Sequence, residues 1–296
     1  MTSSETESTT GWANGSLWDM TGRARTTTFI GAGGKTTCLQ SLTQEIDSYG
    51  FPVIATTTTK VLPEKQMKVW RSPYSPPENQ AGACFWYVKA ENESGKWIGP
   101  LPEVVDVAIL EDLHFKRRDV RSEACGGNPS DGLVTDKCHK RYWVIEGDGA
   151  RRHKLKCWGP DEPQIPERSE CAVLVLAGDL WGSVLGVDQV HRPERCPDLV
   201  GNVWQAERAW HYFLRSPVFA HRFAQISWVI LLNRYGVNSE TRDGLVLSNP
   251  LHPLNALKNR WTEIQGKAKD PANRPRHLRL AAGDAKEGKL QWFELW

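Results

Sequence analysis

Short apolar segments alternate with helical segments along most of this chain, and this alternation constrains the fold more than any single motif. Four of the runs are short and largely apolar, as is typical of strands that are buried on both faces. They are YWVIE (142–146), AVLVLAG (172–178), SWVILLN (227–233) and HLRLAA (277–282). Segments whose apolar residues recur at helical spacing lie beside some of these runs, at 203–215 and 252–265. We therefore predict an α/β fold with a mainly parallel sheet and helices on both faces.

The segment from Thr26 to Thr57 predicts a strand, a glycine turn, a helix and a second strand. Apolar residues recur at helical spacing between Lys35 and Tyr49, and Gly50 provides a stop signal for that helix. The run FPVIATT then has the apolar, β-branched character of a buried strand. The turn itself reads GAGGKTT over residues 31–37.

A glycine turn that closes on Lys-Thr is typical of a phosphate-binding loop. In the ordinary P-loop, G-x-x-x-x-G-K-[ST], backbone N–H groups surround the phosphates, but here Phe29 stands where the first glycine belongs. The shorter loop keeps the same physics, since the helix that begins near Lys35 offers free N–H groups to an anion. The predicted nucleotide-binding residues are Gly31, Ala32, Gly33, Gly34, Lys35, Thr36 and Thr37. The alternative is a glycine-rich turn with a solvated lysine.

Two further motifs follow predicted strands. In ATTTTK (55–60), the Thr59 hydroxyl and Lys60 are placed to reach a metal–phosphate cluster, although a threonine run also suits a plain strand end. In VIEGDGA (144–150), Glu146 and Asp148 have the form of the acidic partner that positions Mg²⁺, although Asp-Gly is also a common turn. Together with Thr36 as a hydroxyl ligand, these residues predict a site for ATP or GTP with Mg²⁺.

Four cations lie just after predicted strands: Lys35, Lys60, Lys156 and Arg192. The carboxyl ends of parallel strands share one edge of a sheet, so we expect at least three of the four to converge on one pocket. Unpaired cations would repel one another, which predicts a polyanionic occupant, a triphosphate together with an anionic second substrate.

The predicted domain organisation is simple. Residues 1–22 are polar and predict a disordered tail, and residues 23–296 predict a single P-loop-type α/β domain. Two interruptions are expected within it, a β-hairpin at about 83–100 and a polar loop at about 121–141.

Composition argues against several classes of partner. A net charge of +2 without a dense basic block gives no case for nucleic acid, and the apolar runs are too short to span a membrane. The chain has 7 Cys and no C-x-x-C pair or signal segment, so we expect reduced thiols and a cytoplasmic location. Cys125, Cys138 and His139 have a spacing that fits no closed zinc motif.

Several motifs in the same order resemble the YqeC family. They are GAGGKTT, ATTTTK, GKWIGPLPEVVD (95–106) and EGDGARRHKLK followed by EPQIP (146–166). Family members typically read E-A-D-G-A, then P-L-K, H-E-P-V-I-P and V-H-R, and this chain departs from them at Gly147 and Asp161. The resemblance covers about residues 27–195. It implies a P-loop-type fold and a role as an accessory protein of selenium-dependent molybdenum hydroxylases, in selenium-cofactor biosynthesis.

The resemblance also gives roles to residues that are weak candidates alone. His191 and Arg192 match the V-H-R motif, and the match favours them as catalytic residues over a surface pair, alongside Lys35 and Asp148. Lys156 matches the basic stretch and is expected to bind the ligand. Asn233 lies in LLNRYG, which lacks the aspartate of a guanine-reading motif and so favours ATP.

Three functional hypotheses result. The first is an NTP-hydrolysing, phosphoryl-transfer or ligase-type enzyme that matures a selenium- or molybdenum-containing cofactor. The second is a nucleotide-gated accessory or chaperone protein that docks on a molybdenum hydroxylase with little turnover. The third is a scaffold that binds no nucleotide. The first two require the same phosphate chemistry, so the sequence does not separate them.

Overall fold

The computed structural model describes residues 11–119, 141–235, 249–265 and 273–296. The strands, in chain order, are β1 (Trp12–Gly15), β2 (Thr26–Gly31), β3 (Val53–Thr57), β4 (Lys60–Val61), β5 (Lys68–Arg71), β6 (Ala83–Tyr87), β7 (Lys89–Ala90), β8 (Trp97–Ile98), β9 (Tyr142–Glu146), β10 (Leu155–Lys156), β11 (Cys171–Ala177), β12 (Val190–His191), β13 (Ser227–Asn233), β14 (His277–Asp284) and β15 (Lys289–Glu294). The α-helices are α1 (Leu17–Met20), α2 (Lys35–Ser48), α3 (Pro102–Asp119), α4 (Ala206–Phe213) and α5 (Leu251–Ile264).

A ten-stranded sheet dominates the structure, in the order β1-β15-β14-β13-β11-β2-β9-β3-β6-β5. Neighbouring strands are parallel from β14 through β5, and the β14–β15 and β15–β1 pairs are antiparallel. The prediction of an α/β fold with a mainly parallel sheet is confirmed. Since β2 lies near the centre, the glycine loop that follows it opens at the edge where the carboxyl ends of β13, β11, β9 and β3 also meet.

Helices cover both faces of the sheet, as predicted. Apolar side chains of α1 and α2 pack on the face that carries Phe29 and Val173. Those of α4 and α5 pack on the opposite face, which carries Ile30 and Leu174, while α3 covers its own part of that face around Ile145. The alternation of neighbouring side chains along each strand explains why both sets of residues are buried.

Residues 11–22 are ordered, which corrects the prediction of a disordered tail over 1–22. Strand β1 pairs with β15, and Ser16 caps α1 by accepting from the Asp19 N–H at 3.2 Å. Leu17, Trp18 and Met20 are buried, and these apolar residues stabilise the segment despite its polar neighbours. Residues 1–10 lie outside the described part of the chain.

The predicted hairpin at 83–100 is smaller than expected. Residues 83–87 form β6, which joins the main sheet in parallel between β3 and β5, because its side chains are buried on both faces. The antiparallel hairpin is confined to β7 and β8, and β4 adds a third strand to it. The predicted polar loop at 121–141 lies outside the described residues except for Arg141, which is buried against Asp112.

Cys157 and Cys196 form a disulfide, with their Cα atoms 6.2 Å apart, which corrects the expectation of reduced thiols. Cys38, Cys84 and Cys171 are free and buried. Nothing in the sequence indicates this bond, because the two residues are 39 positions apart and only the fold brings them together. Within the described residues, no helix has the length and apolar character required to cross a bilayer.

We predict that replacing both Cys157 and Cys196 by alanine lowers the free energy of unfolding by about 4 kcal/mol. The bond closes a loop of 39 residues in the unfolded chain and so reduces its entropy. Urea unfolding of the wild type and the variant, each with and without reductant, measures the difference. A wild type that is no more sensitive to reductant than the variant, with no cross-linked peptide in a mass-spectrometric map, would contradict it.

Candidate functional site

The glycine loop between β2 and α2 is held close to the neighbouring strand β11. Gly31, Gly33 and Gly34 have φ angles of +93°, +78° and +109°, in the region that favours glycine. A Cβ atom on Gly33 would lie 2.2 Å from the backbone nitrogen of Ala177, and one on Gly31 would lie 2.5 Å from the carbonyl oxygen of Val175. Any other residue at either position would therefore overlap the backbone of β11, so both positions require glycine.

Asn233 fixes the same loop from the end of β13. Its Nδ2 donates to the carbonyl oxygen of Gly33 at 2.9 Å, and its Oδ1 accepts from the N–H of Ala285 at 3.2 Å. The side chain is buried. The sequence placed Asn233 in a segment that lacks the aspartate of a guanine-reading motif, and the structure shows that this side chain holds the loop.

The loop presents a row of backbone donors at the N-terminus of α2. Gly34 caps that helix in a left-handed conformation without a side-chain hydrogen bond. Among the described residues, none accepts a hydrogen bond from the backbone N–H groups of residues 33–37. Free N–H groups and the helix dipole together favour an anion at this position.

Lys35 is buried, and it is the first residue of α2. Its ammonium donates to the carbonyl oxygen of Gly31 at 2.6 Å and lies 3.3 Å from Asp148 Oδ1 and 3.9 Å from Glu146 Oε1. Burial alone would lower the pKa of Lys35, but the Asp148 and Glu146 carboxylates outweigh it and raise the pKa above its ordinary value. Lys35 is therefore a permanent cation, which excludes the interpretation of a solvated lysine beside a turn.

Asp148 is fully buried and serves as an anchor, although the sequence suggested a ligand for Mg²⁺. Both of its carboxylate oxygens accept from the N–H of Gly31, at 3.0 and 3.1 Å. Oδ2 also accepts from Trp158 Nε1 at 2.8 Å and lies 3.4 Å from Lys156 Nζ. Lys35 lies beside Oδ1, so protein groups surround both oxygens of this buried carboxylate and leave no space for a metal ion.

Asp148 connects Lys35 to further charges on the loops after β9 and β11. Lys156 is fully buried, donates to the carbonyl oxygen of Gly149 at 2.6 Å and lies 3.2 Å from Glu162. Glu162 in turn accepts from Arg192. We call the resulting set the ion-pair network; it consists of Glu146, Lys35, Asp148, Lys156, Glu162 and Arg192.

Three of the four predicted cations thus converge, but the expected geometry was wrong for the fourth. Lys60 is exposed and pairs with Glu91 of the small three-stranded sheet. The expectation of unpaired cations was also wrong, because carboxylates already pair with Lys35, Lys156 and Arg192. The network holds three cations and three anions, so it is close to neutral as it stands.

Glu146 and Thr36 lie on the open side of the network. Thr36 is exposed, and its hydroxyl donates to Glu146 Oε2 at 2.9 Å. Burial raises the pKa of Glu146 above its ordinary value, an effect that Lys35 and Thr36 oppose. The threonine run supports this strand end, since Thr57 donates to the carbonyl oxygen of Glu146 at 3.0 Å, while Thr59 contacts Thr57 within its own turn.

The residues fit Mg²⁺ in part. A hydroxyl and a carboxylate oxygen at Thr36 and Glu146 are hard oxygen ligands of the kind that Mg²⁺ prefers. Among the described residues, no cluster of three or more His, Cys, Asp or Glu side chains is arranged to hold a metal. Mg²⁺ usually keeps several waters and takes its other ligands from substrate phosphates, so two protein oxygens suffice.

His191 lies beside Lys156, because β12 pairs in parallel with β10. Burial, with the nearby cations Lys156 and Arg192, lowers the pKa of His191 to about 4. The ring centroid of His153 is 5.5 Å away. His191 is therefore neutral near pH 7, and because its pKa is so low it is a weak proton acceptor.

Three residues of the site carried no assigned role in the sequence. Trp158 was one of 14 tryptophans, and Glu162 was noted for its motif match alone. Tyr212 donates from its hydroxyl to the carbonyl oxygen of Lys156 at 2.6 Å. Of these three residues, the motif match pointed only to Glu162, through the Glu-Pro pair.

Comparison with known proteins yields one family. The sequence model described as "YqeC protein" matches residues 27–194. The chain is 28% identical over 179 residues to the "Uncharacterized protein YqeC" of Escherichia coli (strain K12), which covers 58% of this chain and 59% of that relative. No solved structure matches the chain significantly.

We predict that Asp148→Asn lowers the free energy of unfolding by about 3 kcal/mol. The substitution leaves Lys35 and Lys156 facing a neutral amide in a buried site, and breaking a buried ion pair on one side is costly. Urea unfolding measures the loss. Asp179→Asn is the matched control, because Asp179 forms an exposed pair with Lys154 and its loss should cost less than about 0.5 kcal/mol. Equal stability of the two variants would contradict the anchoring role.

We predict that His191 makes the protein less stable in mild acid. Its pKa is about 4 in the folded state, against about 6.5 in the unfolded chain, so the unfolded state binds the proton first as the pH falls between these values. Stability contributed by the neutral ring is full above pH 6.5 and is lost toward pH 4. His191→Asn should reduce this loss by about 1–3 kcal/mol in urea unfolding from pH 7.5 to 4.5. His221→Asn, at an exposed histidine, should leave it unchanged.

Proposed function

Since the chain belongs to the YqeC family, we propose that it is a P-loop-type protein that binds a nucleoside triphosphate, ATP or GTP, with Mg²⁺ at the glycine loop. The observation that carries this proposal is the combination of free backbone donors at residues 33–37 with a charged, buried lysine at the start of the same helix. Both features stabilise phosphate oxygens, and the sheet places them at the edge where ligands of α/β proteins bind.

Lys35 has a donor to spare for a phosphate. An ammonium carries three N–H donors. The carbonyl oxygen of Gly31 takes one and Asp148 takes another, while Glu146 lies at 3.9 Å, beyond hydrogen-bond distance. A phosphate oxygen bound at the glycine loop would accept the third.

The neutrality of the network makes Mg²⁺ part of the proposal. Three carboxylates already balance the three cations, so little net positive charge remains to offset a triphosphate. Mg²⁺ held by Thr36, Glu146 and the phosphates would supply that charge and bridge the phosphate oxygens. The protein would contribute the row of N–H donors, the fixed position of Lys35 and the two oxygen ligands.

The family resemblance supports the wider role, maturation of a selenium- or molybdenum-containing cofactor. A small anionic second substrate would then lie on the side of the ion-pair network where Glu162 pairs with Arg192. In this proposal Arg192 would offset charge that develops on a transferred group, and the neutral ring of His191 would offer a hydrogen-bond acceptor.

One observation favours the nucleotide-gated accessory protein as the second candidate. The N–H of Gly31 and the Lys35 ammonium both bind Asp148, and Asp148 also binds Trp158 and lies beside Lys156. A phosphate that draws Lys35 toward the loop would weaken its pairing with Asp148 and so affect the loop after β9. A contact surface on that loop would report the nucleotide state to a partner such as a molybdenum hydroxylase.

We predict that Lys35→Ala abolishes binding of ATP and of GTP, measured by calorimetry with Mg²⁺. The variant removes the charge beneath the phosphates, whereas Asp148 keeps Lys156 as its partner and the fold survives. Lys60→Ala is the matched control, because Lys60 is exposed, pairs with Glu91 and should leave affinity unchanged. Unaltered nucleotide binding in Lys35→Ala, with folding verified by circular dichroism, would refute the proposal.

The Mg²⁺ dependence of binding is tested by Thr36→Ala in the same assay. The variant removes the exposed hydroxyl, and we expect the gain in affinity from Mg²⁺ to fall about tenfold while metal-free binding is unchanged. Equal loss with and without Mg²⁺ would contradict a metal role for Thr36. A separate assay of phosphate release by the wild type distinguishes the two candidate functions. An enzyme would release phosphate continuously, whereas a nucleotide-gated accessory protein would release little.

A further inference from the structure

A cavity adjoins the ion-pair network on the side of the disulfide. Its volume is about 330 Å³, within the range of pockets for small molecules. Trp158 and Glu162 line this cavity and also connect it to the ion-pair network. Trp158 donates to Asp148, and Glu162 lies beside Lys156. The bonded pair Cys157 and Cys196 forms part of the wall.

Three exposed arginines line this cavity, and one of them has no partner among the described residues. Arg195 makes no ion pair or side-chain hydrogen bond within that part of the chain. Arg215 pairs with Asp198, and Arg222 donates to the backbone carbonyl oxygen of Glu162 at 2.7 Å. The carboxylate in the lining, Glu162, is already committed to Lys156 and Arg192. The lining therefore carries a net positive charge.

Guanidinium groups that face one cavity repel one another, and a carboxylate or phosphate between them relieves the repulsion. The planar guanidinium donates two parallel hydrogen bonds to either group. The aromatic wall is rigid, since Trp158 stacks on Tyr212 with ring centroids 5.7 Å apart, and Tyr212 is buried and bound to the Lys156 carbonyl. A small rigid cavity with basic walls selects a compact anion over a polymer.

We propose that this cavity binds a small phosphate- or carboxylate-bearing molecule and is the site of the second substrate. As an assignment of that substrate, it rests on the proposed nucleotide function; as an anion site, it stands on Arg195 and Arg222 alone. A ligand there contacts Trp158, whose indole N–H is bound to Asp148, so the two sites share one anchor. Occupation of the cavity and of the glycine loop should therefore be coupled.

The test is calorimetric titration of the full chain with inorganic phosphate and, separately, with malonate. We expect the double variant R195A/R222A to bind the preferred anion at least tenfold more weakly than the wild type. We expect Lys35→Ala to keep that binding, which shows that the anion does not occupy the glycine loop. Arg260→Ala is the matched control, since Arg260 is a surface arginine of α5 that pairs with Glu263. The stronger of the two anions identifies the ligand as a phosphate or a carboxylate.

Several results would overturn the proposal. They are no binding of either anion at millimolar concentration, equal binding in R195A/R222A, and loss of binding in Lys35→Ala alone. Arg195 and Arg222 are exposed, so their loss leaves the fold intact, and circular dichroism verifies this. If the chain binds the anion but no nucleotide, the anion site holds and the nucleotide proposal fails. If it binds nucleotide but neither anion, the cavity assignment fails alone.

Discussion

The buried carboxylate of Asp148 is the interaction on which the rest of the site depends. A charge removed from water is tolerated only when donors surround it, and four segments supply them here. The N–H of Gly31 comes from the end of β2, Lys35 from α2, Lys156 from β10 and Trp158 from the following loop. A buried carboxylate without donors would cost free energy, so each of these groups stabilises the fold only when it stays beside Asp148.

The position of that anchor follows from the order of the central strands. Asp148 lies two residues beyond β9, and β9 is the neighbour of β2, so its carboxylate reaches the first glycine of the loop. From the other side, β11 approaches Gly31 and Gly33 so closely that a Cβ would overlap its backbone, and Asn233 holds Gly33 from the end of β13. The loop is thus held from both neighbouring strands, while its N–H groups face the open edge.

Charge balance within the ion-pair network shapes what the site can bind. A row of unpaired cations would attract any polyanion, whereas a network with equal numbers of opposite charges discriminates by geometry. The free donors are then the backbone N–H groups at the start of α2 and the third N–H of Lys35. In the proposed function, Mg²⁺ and these donors together offset the phosphates, and the arginine-lined cavity receives the second anion through the shared Trp158.

The sequence by itself determined the central strands of the sheet and three of its helices, and the tertiary structure decided how the charges at their ends are used. Apolar runs and helical spacing predicted β2, α2, β9, β11, β13 and both later helices, because these signals are local. The glycines of the loop and the carboxyl-end position of Lys35, Lys156 and Arg192 were also predictable, since parallel strands end at one edge. The pairing of Lys60 with Glu91, the anchoring role of Asp148 and the bond between Cys157 and Cys196 were not, because each depends on a partner that only the fold brings within reach. A charged residue in a sequence shows that a partner is needed, and only packing shows whether that partner is a ligand or another side chain.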